Sequence, residues 1–137
     1  MAGWLNKSKE IYCLAWSGAW LTRDEILQLL EQNKELQKLT VAIVRPCKNL
    51  KGILYKRLIN KVEIRKIRAN DKTLSSNDDQ PYAKSGRFFT LIKDSADKEG
   101  ILSTLRYGTN ACMVWTEHEK DIAECKELIK SLKTVTL

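Results

Sequence analysis

Hydrophobic residues along this chain fall into short blocks, some alternating as in a strand and others spaced as on one side of a helix. Ile11 to Trp16 (Ile-Tyr-Cys-Leu-Ala-Trp) is a β-branched and aromatic run stopped by Ser17-Gly18, which predicts a buried strand. Thr22 with Glu25 forms a capping box ahead of Ile26, Leu29, Leu30 and Leu36, so a helix is predicted to about Glu35. Leu39 to Val44 predicts a second strand, stopped by Pro46, which has no N–H to give to a ladder. The chain therefore opens as β-α-β.

Leu50, Ile53, Leu54 and Leu58 share one helical face, predicting a basic amphipathic helix from Asn49 to Asn60. Val62 to Arg68 alternates until its phase slips at Lys66-Ile67, which fits either a strand with a bulge or more helix. Ala69 to Gly86 is rich in Asn, Asp and Ser around Pro81 and reads as a flexible polar loop. Arg87 to Ile92 is a predicted strand, and Ser95 or Asp97 caps a predicted helix bearing Ile101, Leu102 and Leu105 and ended by Gly108. Ala111 to Trp115 is another strand, after which Thr116 caps a final helix carrying Ile122, Cys125, Ile129 and Leu132.

The order β-α-β, basic insert, β-α-β-α predicts an α+β, ferredoxin-like sandwich with an extra C-terminal helix. A length of 137 residues fits a single domain over 1–137, with 46–86 as a basic insert and polar loop in which 69–86 is flexible. The longest apolar runs are far below the ~18 residues of a membrane span, so no membrane partner is expected. The first residues lack the apolar stretch and cleavage site of a secretory leader. Cys13, Cys47, Cys112 and Cys125 are scattered with no C-x-x-C pair, which reads as reduced thiols in a cytoplasmic or nuclear protein.

Charge changes the picture more than composition does. The chain carries a formal +7, and the whole excess is local. Lys48, Lys51, Lys56, Arg57, Lys61, Arg65, Lys66, Arg68 and Lys72 stand against only Glu63 and Asp71, while the remainder balances 15 basic with 15 acidic residues. Such a concentration, with three arginines in it, points to a phosphate-contacting patch rather than an ordinary solvated face.

Two strands add a resemblance. Ile11-Tyr12-Cys13-Leu14-Ala15-Trp16 and Gly86-Arg87-Phe88-Phe89-Thr90-Leu91-Ile92, the latter followed by Lys93-Asp94, resemble the two signature strands of the RNA-recognition motif (RRM) family. Arg87 stands where that family has its first stacking aromatic, Ser85 where it has Lys or Arg, and Phe88 where it has a small residue. The resemblance implies that Tyr12 and Phe89 lie on an open sheet face and stack unpaired bases, with Arg87 stacking or meeting phosphate. Alternatively, Tyr12 and Phe89 pack beneath the insert or a terminal helix. Trp4, Trp16, Trp20 and Trp115 are read as core or edge packing.

Catalytic constellations are missing. His118 stands alone between Glu117 and Glu119, Glu63-Ile64-Arg65 is a poor echo of a nuclease strand, and Gly18, Gly52 and Gly108 make no phosphate loop. Cys112, His118 and Cys125 lack metal-site clustering. The expectation is a nucleic-acid-binding protein without catalytic residues, metal or cofactor, with RNA favoured over DNA. Its site would be Lys48, Lys51, Lys56, Arg57, Lys61, Arg65, Lys66, Arg68, Tyr12, Arg87 and Phe89. The rival is an interaction or assembly module whose basic segment docks an acidic partner or a second copy, since two amphipathic helices each offer an apolar face.

Overall fold

A computed structural model of the chain describes residues 2–68, 88–107 and 110–137, with the side chains of 2–4, 104–107 and 110–113 outside the description. The elements run α1 (Ala2–Lys7), β1 (Ser8–Ala15), a 3-10 turn (Ala19–Thr22), α2 (Asp24–Gln32), β2 (Lys38–Ile43), α3 (Leu50–Arg57), β3 (Val62–Ile67), β4 (Phe89–Asp94), β5 (Glu99–Tyr107), β6 (Asn110–Thr116), α4 (Glu119–Ser131) and β7 (Thr134–Thr136). The class is α+β. No helix among the described residues is long and apolar enough to cross a membrane.

One mixed sheet of seven strands holds the fold, in the order β6-β5-β4-β1-β2-β3-β7. β1, β2 and β3 are mutually parallel, joined through α2 and α3, and every other pairing is antiparallel. This corrects the ferredoxin-like expectation. A split βαβ leaves room for a further strand between the two that its helix connects, whereas here β1 pairs directly with β2, Ile11 opposite Leu39 and Ala15 opposite Ile43.

Both sides of the sheet are covered. On the first face, Ile11 and Cys13 of β1, Val41 and Ile43 of β2, Ile64 of β3 and Ile92 of β4 meet Leu27 and Leu30 of α2, Leu50 and Leu54 of α3 and Leu5 of α1. On the second, Leu14, Ala42, Ile67, Phe89 and Ile101 meet Ile122 of α4, flanked by Leu128 and Ile129. Each such aliphatic side chain contributes about 1.5–3 kcal/mol when fully withdrawn from water. Cover on two sides explains the unbroken burial from Leu39 to Ile43. It also explains the phase slip in β3: Ile64 faces the first core and Ile67 the second, in a regular register without a bulge.

The helix predicted after Asp97 is instead strand β5. The Asp-Ser-Ala-Asp sequence that resembles a helix cap builds a hairpin: Asp94 Oδ1 accepts from the N–H groups of Ala96 and Lys98, both at 2.9 Å, and Asp97 takes φ 63°. A tight turn closed by a left-handed residue is a common three-residue hairpin loop. Ile101 then enters the second core while Leu102 points to the opposite side. Two other elements, α1 and β7, have no counterpart in the hydrophobic pattern. Asn33 anchors the first of these, its buried Nδ2 donating to the carbonyls of Leu5 and Ser8, both at 2.8 Å. The flexible loop expected over 69–86 lies outside the described residues.

Candidate functional site

Parallel strands β1, β2 and β3 end at one rim of the sheet, where the antiparallel β4 begins. In open α/β sheets this carboxyl end is where loops gather and ligands bind, because the crossovers leave the strand ends uncovered. Backbone bonds hold the rim in shape: Arg45 N–H donates to the Trp16 carbonyl at 2.8 Å, and Cys47 N–H to that of Ser17 at 3.0 Å. Gly18 turns the chain after Ser17 into the 3-10 turn at φ 73°, and a Cβ there would press to 3.2 Å from Leu50 Cδ2.

Trp16 stands at this rim with 54 % of its surface exposed. Arg45 places its guanidinium 5.9 Å from the indole centroid, within cation–π range, and Phe88 meets the ring edge-on with centroids 6.3 Å apart. Trp16 thus takes the edge position of the expected core-or-edge packing, not a core one. It continues the alternation of β1, but it lies one residue beyond the last paired position, Ala15, where the cover on both faces runs out. Trp16, Arg45 and Phe88 are not among the site residues that the sequence points to. The signal for Trp16 and Arg45 is the βαβ unit itself, since Trp16 follows directly on β1 and Arg45 lies two residues past the end of β2.

The basic residues divide into two sets. Arg45, Lys48, Lys66 and Arg68 are exposed at or beside the rim, and Lys51 and Lys56 are exposed on α3, which starts there. None of these six forms an ion pair among the described residues. Arg57 instead bonds Glu31 and Asp24 of α2, and those carboxylates raise its already high pKa, the Glu31 hydrogen bond foremost. Arg65 is also engaged, its Nε donating to Thr134 Oγ1 at 2.6 Å and its Nη1 to Glu63 Oε1 at 2.9 Å. Lys61 is half-buried in the turn before β3.

The stacking platform does not form as expected. Phe89 is 2 % exposed beneath α4, and Tyr12, on the same face, is half-buried against that core. Burial pushes the Tyr12 hydroxyl pKa up, with the charge of Arg65 opposing it. Alternation does place both aromatics on one face, but α4 covers that face. Arg87 and Lys72 lie outside the described residues. Among the described residues no group of three His, Cys, Asp or Glu could hold a metal ion. No protein-family model, curated protein or solved structure matches the chain.

Proposed function

We propose that the protein binds nucleic acid, with RNA expected ahead of DNA, through a phosphate track from the carboxyl rim across the outer surface of α3. One observation carries the reading: Arg45, Lys48, Lys51, Lys56, Lys66 and Arg68 are exposed without a carboxylate partner among the described residues, while neighbouring Arg57 and Arg65 are neutralised locally. Unpaired cations held at fixed spacing bind phosphates by releasing condensed counterions, a mechanism that needs neither metal nor catalytic group. Cys13, Cys47 and Cys125 are free thiols, which supports placing the protein in the cytoplasm or nucleus.

The assembly reading loses the feature that motivated it. Leu50, Leu54 and Leu58 are spent on the first core, and Ile122, Leu128 and Ile129 on the second. Among the described residues, the exposed large apolar ones, Trp16, Ile59, Trp115 and Val135, belong to four separate places: the rim, the turn before β3, and the two opposite edge strands.

Fluorescence anisotropy with a labelled single-stranded RNA and its DNA counterpart, titrated across salt, tests the proposal. Contacts from all six cations set a log–log salt slope of about −4 on a single strand. The triple variant Lys48→Glu, Lys66→Glu, Arg68→Glu should remove most of the affinity and flatten that slope, whereas Arg57→Gln should leave both nearly unchanged. Binding indifferent to salt and to the triple variant overturns the proposal.

A further inference from the structure

We infer that Trp16, with Arg45 and Phe88, is a stacking site for an unpaired nucleobase at the end of the phosphate track. The inference rests on the nucleic-acid reading and adds to it a reason to prefer single strands. A tryptophan leaving more than half its surface in water is unusual where other large side chains reach a core, and this one is held by its neighbours rather than loose. Its backbone carbonyl accepts from Val44 and Arg45, Phe88 braces the ring edge, and Arg45 lies over it.

The chemistry selects the occupant. An indole and a guanidinium plane are the two surfaces on which proteins stack unpaired bases. An apolar peptide would use the ring but gain nothing from Arg45 over it or from Lys48 and Arg68 elsewhere on the rim. An inorganic anion would use the cations but not the ring. A base joined to a phosphate uses both, and a duplex keeps its base faces stacked away from such a site.

Anisotropy with three probes of equal length tests this: a single-stranded RNA, the same strand with abasic positions, and the duplex. Wild-type protein should favour the intact single strand over the other two. Trp16→Ala should weaken the intact strand by about 5- to 150-fold and leave the abasic strand and the salt slope almost unchanged. Trp16→Phe should recover part of the loss. Since Trp16 is exposed, both variants should keep the wild-type circular dichroism spectrum. If Trp16→Ala leaves the preference for intact strands intact, or wild-type protein binds abasic and intact strands equally, the stacking site is overturned while the salt-dependent phosphate reading stands. If no probe binds in a salt-dependent way, or an acidic peptide binds as tightly as RNA, both are overturned.

Discussion

Gly100 lies directly beneath the indole of Trp115, so close that a Cβ on residue 100 would sit 2.1 Å from Cζ2 of the ring. Trp115 pairs with Leu102 across β5 and β6, which puts the ring on the same side of the sheet as Gly100, and its Nε1 donates to Glu117 Oε1 at 3.2 Å. Any side chain at position 100 must displace the ring. Gly100→Ala is expected to cost about 1–3 kcal/mol in urea unfolding. Trp115→Ala in the same chain should remove most of that cost, and strictly additive effects would show that the ring is not what the glycine accommodates.

Phe89 separates packing from recognition. Phe89→Ala should lower stability by about 3–5 kcal/mol, the usual result of emptying a buried aromatic site. RNA affinity per folded molecule should stay at the wild-type value. A variant of normal melting temperature that binds poorly would return Phe89 to the interface and contradict its burial under α4.

Stability toward acid has an identifiable contributor. The Arg65 hydrogen bond, with Lys38 second, holds the Glu63 carboxyl below its ordinary 4.5. An acid depressed in the folded state binds fewer protons there than when unfolded, so its contribution is complete above 4.5 and fades as pH falls through the lower folded value. Exposure to solvent keeps the effect small. Glu63→Gln should therefore flatten the acid limb of a plot of unfolding midpoint against pH, below about pH 5, with little change at neutrality. Parallel wild-type and variant curves would remove Glu63 as the cause.

Thiol chemistry reports on the first core. Burial pushes the Cys13 thiol up to about 11 and the Cys125 thiol up to about 12, so neither is an effective nucleophile near neutral pH. With iodoacetamide at about pH 8, Cys13 should stay unlabelled in native protein and react fully in denaturant, as mapped by mass spectrometry. Labelling of native Cys13 at the denatured rate would mean that β1 is not sealed under α2.

The first βαβ unit is legible in the sequence because its signals are local: Ser17-Gly18 stops β1, Asp24 and Glu25 suit the start of α2, and Leu39 to Ile43 supplies a strand buried on both faces. β5 is not. Ile101, Leu102 and Leu105 fit a helix as well as a strand, and only the Asp94 turn and the pairing with β4 decide between them. β7 is too short to show any period, and it exists through Arg65 and the backbone of β3. At the site, the basic residues are legible as a cluster and Glu63 beside Arg65 as a neighbour, but the pairing of Arg57 depends on Asp24 and Glu31, distant in sequence. Parity puts Tyr12 and Phe89 on one face. Whether that face is open depends on the path of α4.

That path ends in a clasp. Arg65 and Thr134 join across 69 positions, Arg68 N–H donates to the Lys133 carbonyl at 3.0 Å, and Leu137 N–H donates to that of Ile64 at 3.1 Å. A chain made from its amino end therefore lacks the described partner of β3's outer edge, with Lys66 in the strand and Arg68 just past it, until residues 134–136 have been added. Naked edges recruit other strands. The three-residue β7 thus acts as a seal: between the making of β3 and that of β7, the like charges of Lys66 and Arg68 set the edge beside the rim against its own kind.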